Sequence, residues 1–122
     1  MGAMTPTIVL ALASLVLVVS GFSRSVSAVL QAPDPAKVEH GRQLFEKNRC
    51  LLCHKLEGKG GTLSVALDGV ADRRNAESLR RILRDPETEL KDSTAKVKMP
   101  KLPLTDDEVG ALVAYLRTLK GA

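Results

Sequence analysis

The chain has 122 residues and a formal net charge of +4, enough for one domain with a tail. The positive excess is small and comes with no basic run interleaved with aromatics, which argues against nucleic acid as a partner. Two phenylalanines, one tyrosine and no tryptophan leave the core of so small a domain short of side-chain mass, so that something else fills part of it.

The first residues differ in kind from the rest. All 14 acidic residues lie at or after Asp34, and Arg24 alone among the 18 basic residues comes earlier. Residues 7–22, "TIVLALASLVLVVSGF", form an uncharged, mostly apolar run. That is long for the core of a signal peptide and short for a bilayer span of ~20 residues. "SVSA", ending at Ala28, offers Val26 and Ala28 as cleavage-site residues, whereas the leader "MGAMTP" lacks Lys and Arg. Residues 1–28 therefore read as a cleaved signal peptide or as a retained N-terminal membrane anchor. On either reading the remainder is exported to the periplasm, soluble or tethered to the membrane by that segment. A buried helix of a cytosolic protein is the bland alternative.

Residues 29–34 form a linker and the domain proper runs over 35–122. Asp34 suits a helix N-cap and Pro35 the first helical position. Val38, Gly41, Leu44 and Phe45 come next at helical spacing and predict a helix over about 35–48. A core-facing Gly41, costing that helix up to ~1 kcal/mol relative to alanine, suggests that another helix crosses close by. Residues 57–69, with Gly58, Gly60, Gly61 and Gly69, read as a loop. "NAESLRRILRDP" (75–86) predicts a short helix capped by Asn75, faced inward by Leu79, Ile82 and Leu83, and stopped by Pro86. Residues 86–104 run irregularly, with Pro100 and Pro103 opposing helix.

The last element is the clearest. Thr105 and Glu108 fit a capping box, Leu104 and Val109 a hydrophobic staple, and the stripe through Leu112, Val113, Leu116 and Leu119 predicts a helix over about 106–120. No strand pattern stands out. The domain reads as all-α.

Both cysteines and one of the two histidines fall in "CLLCH", as Cys50, Cys53 and His54. A redox-active disulfide expects a βαβ setting, which is missing. A structural zinc site needs four ligands at wider spacings, and the chain offers only these three and His40. The remaining chemistry is covalent haem attachment, for which C-x-x-C-H is the pattern. Two thiols one helical turn apart can add to the two vinyl groups of one porphyrin edge, and the next residue's imidazole is then held where it can bind iron. The cofactor implied is a single, covalent haem c.

Iron needs a sixth ligand unless the site is open. Met1 and Met4 lie ahead of the apolar run, so Met99, in "KVKMPKLP", is the one methionine of the domain. A loop stiffened by prolines can lay its sulfur over iron better than a helix face can. His40 is the competitor, with a surface helix histidine as its bland reading.

These residues resemble the small monohaem class I c-type cytochromes. "HGRQLFEKNRCLLCHKLEGKGG" is similar to that family's first helix and attachment segment, with Gly41 and Phe45 at its helix-crossing positions. "MPKLPLTDDEVGALVAYLRTLK" resembles its methionine loop and last helix, with Tyr115 as the aromatic that packs on Phe45. The resemblance implies the cytochrome c fold, three to four helices around one covalently bound haem. Two departures stand out. Val65 occupies the place where the family often has a proline whose segment orients the ligand histidine. The tryptophan many relatives keep near the haem propionates is missing, which leaves Arg73 or Arg74 for that role.

A haem ligated on both faces by His54 and Met99 leaves no position for a small-molecule substrate. The expected function is one-electron transfer between redox protein partners, by a carrier and not an enzyme. Lys47, Lys55, Lys59, Lys96, Lys98 and Lys101 around the ligand-bearing segments imply partners with an acidic docking surface. The alternative is the haem c subunit of a larger membrane-associated oxidoreductase or respiratory complex. A haem sensor or weak peroxidase, in which Met99 leaves the iron, is a third class.

Overall fold

The computed structural model describes Gly2 and residues 32–121. The apolar run, nearly all of the segment read as signal or anchor, and the first half of the linker lie outside them. Among the described residues no helix is long and apolar enough to cross a membrane.

Helix α1 spans Pro35–Lys47 and starts where Asp34 accepts a hydrogen bond from the Ala36 N–H at 2.9 Å, with Pro35 preset for the first turn. Its buried face is Gly41, Leu44 and Phe45, while Glu39, Arg42 and Glu46 form an ion-paired strip on the outer side. The last helix, α5 (Asp106–Leu116), opens with the expected capping box, Thr105 and Glu108 each bonding the other's backbone N–H. Leu104 packs against the same core in which Val109 is buried, as a staple requires. Helices α1 and α5 cross at Gly41, where the Phe45 and Tyr115 rings meet edge to face with centroids 5.3 Å apart.

Between them lie α2 (Val70–Arg73), α3 (Ala76–Arg84) and α4 (Pro86–Glu89), which brings the α-helices among the described residues to five. The two additional helices are single turns, too short to leave a periodic signature. Asn75 caps α3 through the Ser78 N–H at 2.8 Å, and Leu79, Ile82 and Leu83 are buried. Pro86 does stop α3, and it also occupies the first position of α4, whose cap is Asp85. The same residue is a helix breaker toward its N-terminal side and a helix starter toward its C-terminal side.

The segment read as a glycine loop opens on the turn and second strand of a short hairpin, Lys59–Gly60 (β2) against Lys55–Leu56 (β1) just before it. Glu57 and Gly58, both at positive φ (50° and 77°), make the tight turn between them. Helix α5 stops at Leu116, before its apolar stripe ends at Leu119. There the chain tightens, with the Leu119 N–H on Leu116 O at 3.1 Å, and Leu119 O accepts from the Ala71 N–H of α2 at 3.1 Å.

Candidate functional site

The chain leaves α1 through Asn48 and Arg49. Asn48 Nδ2 donates to Leu44 O at 2.8 Å, and Arg49 turns the backbone into the left-handed region (φ 56°). A non-glycine residue accepts that conformation at a cost of roughly 1–2 kcal/mol. The backbone then winds into a 3₁₀ turn, Cys50–Leu52, continued by the His54 N–H bonding Cys50 O at 3.0 Å. Both cysteines are free and half-buried, so the two thiols stand on one short turn. Burial pushes the Cys50 thiol up to about 11, which keeps it protonated at neutral pH.

Three backbone contacts tie the chain that follows the hairpin back to this turn and to β1. The Gly61 N–H donates to Leu51 O at 2.8 Å, the Ser64 N–H to Cys53 O at 3.0 Å and the Leu67 N–H to Lys55 O at 2.8 Å. Gly61 has to be glycine, because a Cβ there would overlap the Leu52 carbonyl and lie 2.8 Å from its carbon. The chain between Ser64 and Leu67 is thereby laid over His54, whose Nδ1 sits 2.7 Å from Val65 O. A carbonyl only accepts, so Nδ1 carries a proton, and in the neutral imidazole Nε2 is the nitrogen with the lone pair. The departure at Val65 therefore does not cost the histidine its carbonyl partner.

His54 opens onto a cavity of about 570 Å³ that is also lined by Cys50, Cys53 and Met99. That volume lies within the range of cofactor pockets. Its apolar wall is built from Leu79, Ile82 and Leu83 of α3 and from Leu112 and Leu116 of α5. Its charged lining residues are Arg49, Arg74 and Lys98 on one side of the charge balance and Glu89 and Asp92 on the other. The structure thus brings all four expected site residues to one cavity. His40 is not among its lining residues and is exposed on α1.

The two candidate arginines separate. Arg74 lines the cavity with its Nη1 3.2 Å from Ser78 Oγ, whereas Arg73 turns away and donates to Asp68 O at 2.6 Å and Ala66 O at 2.9 Å. The stretch Glu89–Thr94 contributes to the lining without any motif that the sequence could have shown. The α3 wall was legible, because Leu79, Ile82 and Leu83 recur at helical spacing.

These donors fit a haem. Two free thiols a turn apart, an imidazole with Nε2 available and a thioether share one largely apolar cavity. Among the described residues no three His, Cys, Asp or Glu side chains converge as a cage for a bare metal ion.

Fold and donor set together define a helical c-type haem protein. The chain belongs to the cytochrome c family, whose model matches residues 38–120, and its features are those of a class I c-type cytochrome. It is 34% identical over 104 residues to the cytochrome c oxidase subunit 2 of Alkalihalophilus pseudofirmus, a match covering 78% of this chain and 29% of that protein. Among solved structures, a cytochrome c from Rhodothermus marinus superimposes with a TM-score of 0.59 at 24% identity. That match covers 79% of this chain and 86% of the other, and it shows the shared fold. Family membership implies haem c, electron transfer and redox protein partners.

Proposed function

We propose that this chain is an exported one-electron carrier whose single haem c is anchored by Cys50 and Cys53 and ligated by His54 and Met99. The observation that carries the reading is the cavity shared by those four side chains, with the His54 ring already oriented by Val65 O. When bound, the haem supplies reversible one-electron chemistry at a potential that methionine ligation raises. Cys50 and Cys53 hold it in place without relying on iron. His54 presents Nε2, and Val65 O on the opposite ring nitrogen makes that atom a better donor. Met99 would supply the second iron ligand, which would leave no place for a substrate. The leucines of α3 and α5 exclude water, so little has to reorganise when the charge changes.

A second reading is favoured by the relative's name. That protein is an oxidase subunit, and a haem domain of this kind can serve within a membrane-associated oxidoreductase as well as diffuse freely. The mass of the natively expressed chain tests both proposals. One haem beyond the polypeptide mass is expected, and the same number reports whether residues 1–28 remain. A mass equal to the bare polypeptide would refute covalent attachment. Co-purification with a catalytic subunit, together with a retained N-terminus, would select the second reading.

Docking is expected to be electrostatic but weakly so. Lys47, Lys55, Lys59, Lys96, Lys98 and Lys101 are all exposed, yet Lys98 alone of the six lines the cavity, where Glu89 and Asp92 oppose it. Raising ionic strength from ~0.01 M to ~0.15 M shortens the screening length from ~30 Å to ~8 Å. Electron transfer with an acidic partner should then slow by roughly tenfold, well short of the ~10³ of strongly steered pairs. A rate that stays flat over that range would remove the lysines from the docking surface.

A further inference from the structure

The Val65 carbonyl can act on His54 only while it stays within hydrogen-bonding distance, and its own segment does little to keep it there. Val65 is 61% exposed, Ala66 and Asp68 are exposed, and only Leu67 is buried, at 8%. Among the described residues the N–H groups of Val65 and Ala66 bond to nothing in the protein. The ends of the segment are tied, at Ser64 N and Leu67 N and through Asp68 Oδ1, which accepts from the Glu57 N–H at 2.9 Å. The peptide groups between those ties are free to rotate unless something grips their carbonyls.

Arg73 supplies the grip. Its Nη2 takes Ala66 O at 2.9 Å and its Nη1 takes Asp68 O at 2.6 Å, so one planar fork spans Leu67 from both sides. We propose that Arg73 is a positioning residue for His54: it clamps the Val65–Asp68 loop so that Val65 O stays on the Nδ1–H. The proposal rests on the reading of His54 as the iron ligand. Charged donors make the stronger hydrogen bonds, and only a guanidinium offers two in a fixed plane.

The fold prepares a place for that fork. Gly69, at φ 69°, turns the chain from the loop into α2, and a Cβ on it would lie 3.3 Å from Arg73 Nη1. The helix bearing Arg73 is itself pinned by the C-terminal segment. Ala71 N–H donates to Leu119 O at 3.1 Å, and Gly121 N–H donates to Asp72 Oδ2 at 2.7 Å. Arg73 therefore reaches the loop from a fixed base.

The consequence for the site has a sign. A carbonyl on Nδ1–H raises the basicity of Nε2 and favours ferric iron, so loosening it moves the reduction potential upward. Loss of a nearby positive charge moves it downward. Arg73→Lys keeps the charge and loses the fork, which isolates the hydrogen bond. Arg73→Gln removes both.

The test uses the holoprotein, with the His54 Nδ1–H followed by NMR in the ferrous state and the potential measured in parallel. In Arg73→Lys the ring proton should exchange with solvent roughly fivefold faster, the factor that weakening a hydrogen bond by ~1 kcal/mol gives, and the potential should rise. Adding Val65→Pro should return both toward the parent, since the ring restrains φ at 65 and the N–H it removes makes no bond. Unchanged exchange and potential in a folded Arg73→Lys protein would overturn the proposal. So would a lowered unfolding midpoint with neither of those readouts altered, which would make Arg73 merely structural. Should Arg73→Gln fail to fold, Arg73→Lys decides alone. His54 ring signals that lack porphyrin ring-current shifts in the parent would overturn the ligand assignment instead.

Discussion

Met99→Ala is expected to leave the haem attached and to change almost everything else about it. The proposed anchors, Cys50 and Cys53, stand on the 3₁₀ turn and at its C-cap, while Met99 reaches the cavity from a separate segment. Removing its thioether therefore opens one face without disturbing attachment. The low-spin spectrum should give way to a high-spin or water-ligated one, and the weak ferric iron–sulfur absorption should vanish. The potential should fall by something on the order of 0.1 V, a modest part of the ~0.8 V that axial ligands span, because a thioether favours ferrous iron and water does not. Carbon monoxide should bind the ferrous variant readily and the parent poorly. Met4→Ala is the control and should do none of this. A low-spin spectrum with an unchanged potential in Met99→Ala would assign the sixth position to another residue, and His40, exposed on α1 and away from the cavity, would need a different fold to reach it.

Gly41→Val should destabilise the domain by about 3 kcal/mol or more, at or beyond the upper end of ordinary overpacking. A Cβ at 41 would overlap the Ala111 carbonyl oxygen and lie 2.7 Å from its carbon and 2.8 Å from Tyr115 Cβ. Two of those three atoms are backbone of α5 and cannot swing aside, so the helices must part and the Phe45–Tyr115 contact must open. Even Gly41→Ala should lose stability, although alanine is favoured in a helix by ~1 kcal/mol. Gly110→Ala makes the opposite case. Its Cβ would meet only the flexible end of Lys37, at 3.3 Å from Nζ, so that substitution should be neutral or stabilising. For a domain of this size 3 kcal/mol corresponds to a fall in melting temperature of roughly 12 °C or more. Equal midpoints for parent and Gly41→Val would mean that α1 and α5 do not cross there.

What the amino-acid sequence determined by itself is what depends on near neighbours. The attachment motif, the Asp34 and Asn75 caps, the capping box at Thr105–Glu108 and the inner face of α3 are all set by residues within about one helical turn of one another, and all could be read along the chain. Gly41 was legible for the same reason, as a residue unfavourable in a helix and placed on its apolar face. Other features depend on partners far apart in sequence. The bond from His54 to Val65 O spans 11 residues and that from Gly121 to Asp72 spans 49. The choice of Arg74 for the cavity and Arg73 for the loop and the early end of α5 against α2 belong to this second kind. No periodicity or spacing encodes them, because a backbone carbonyl is the same group at every position and only the packed chain decides which one faces the histidine. The sequence determined which groups are available for a haem, and the tertiary structure decided how they are held.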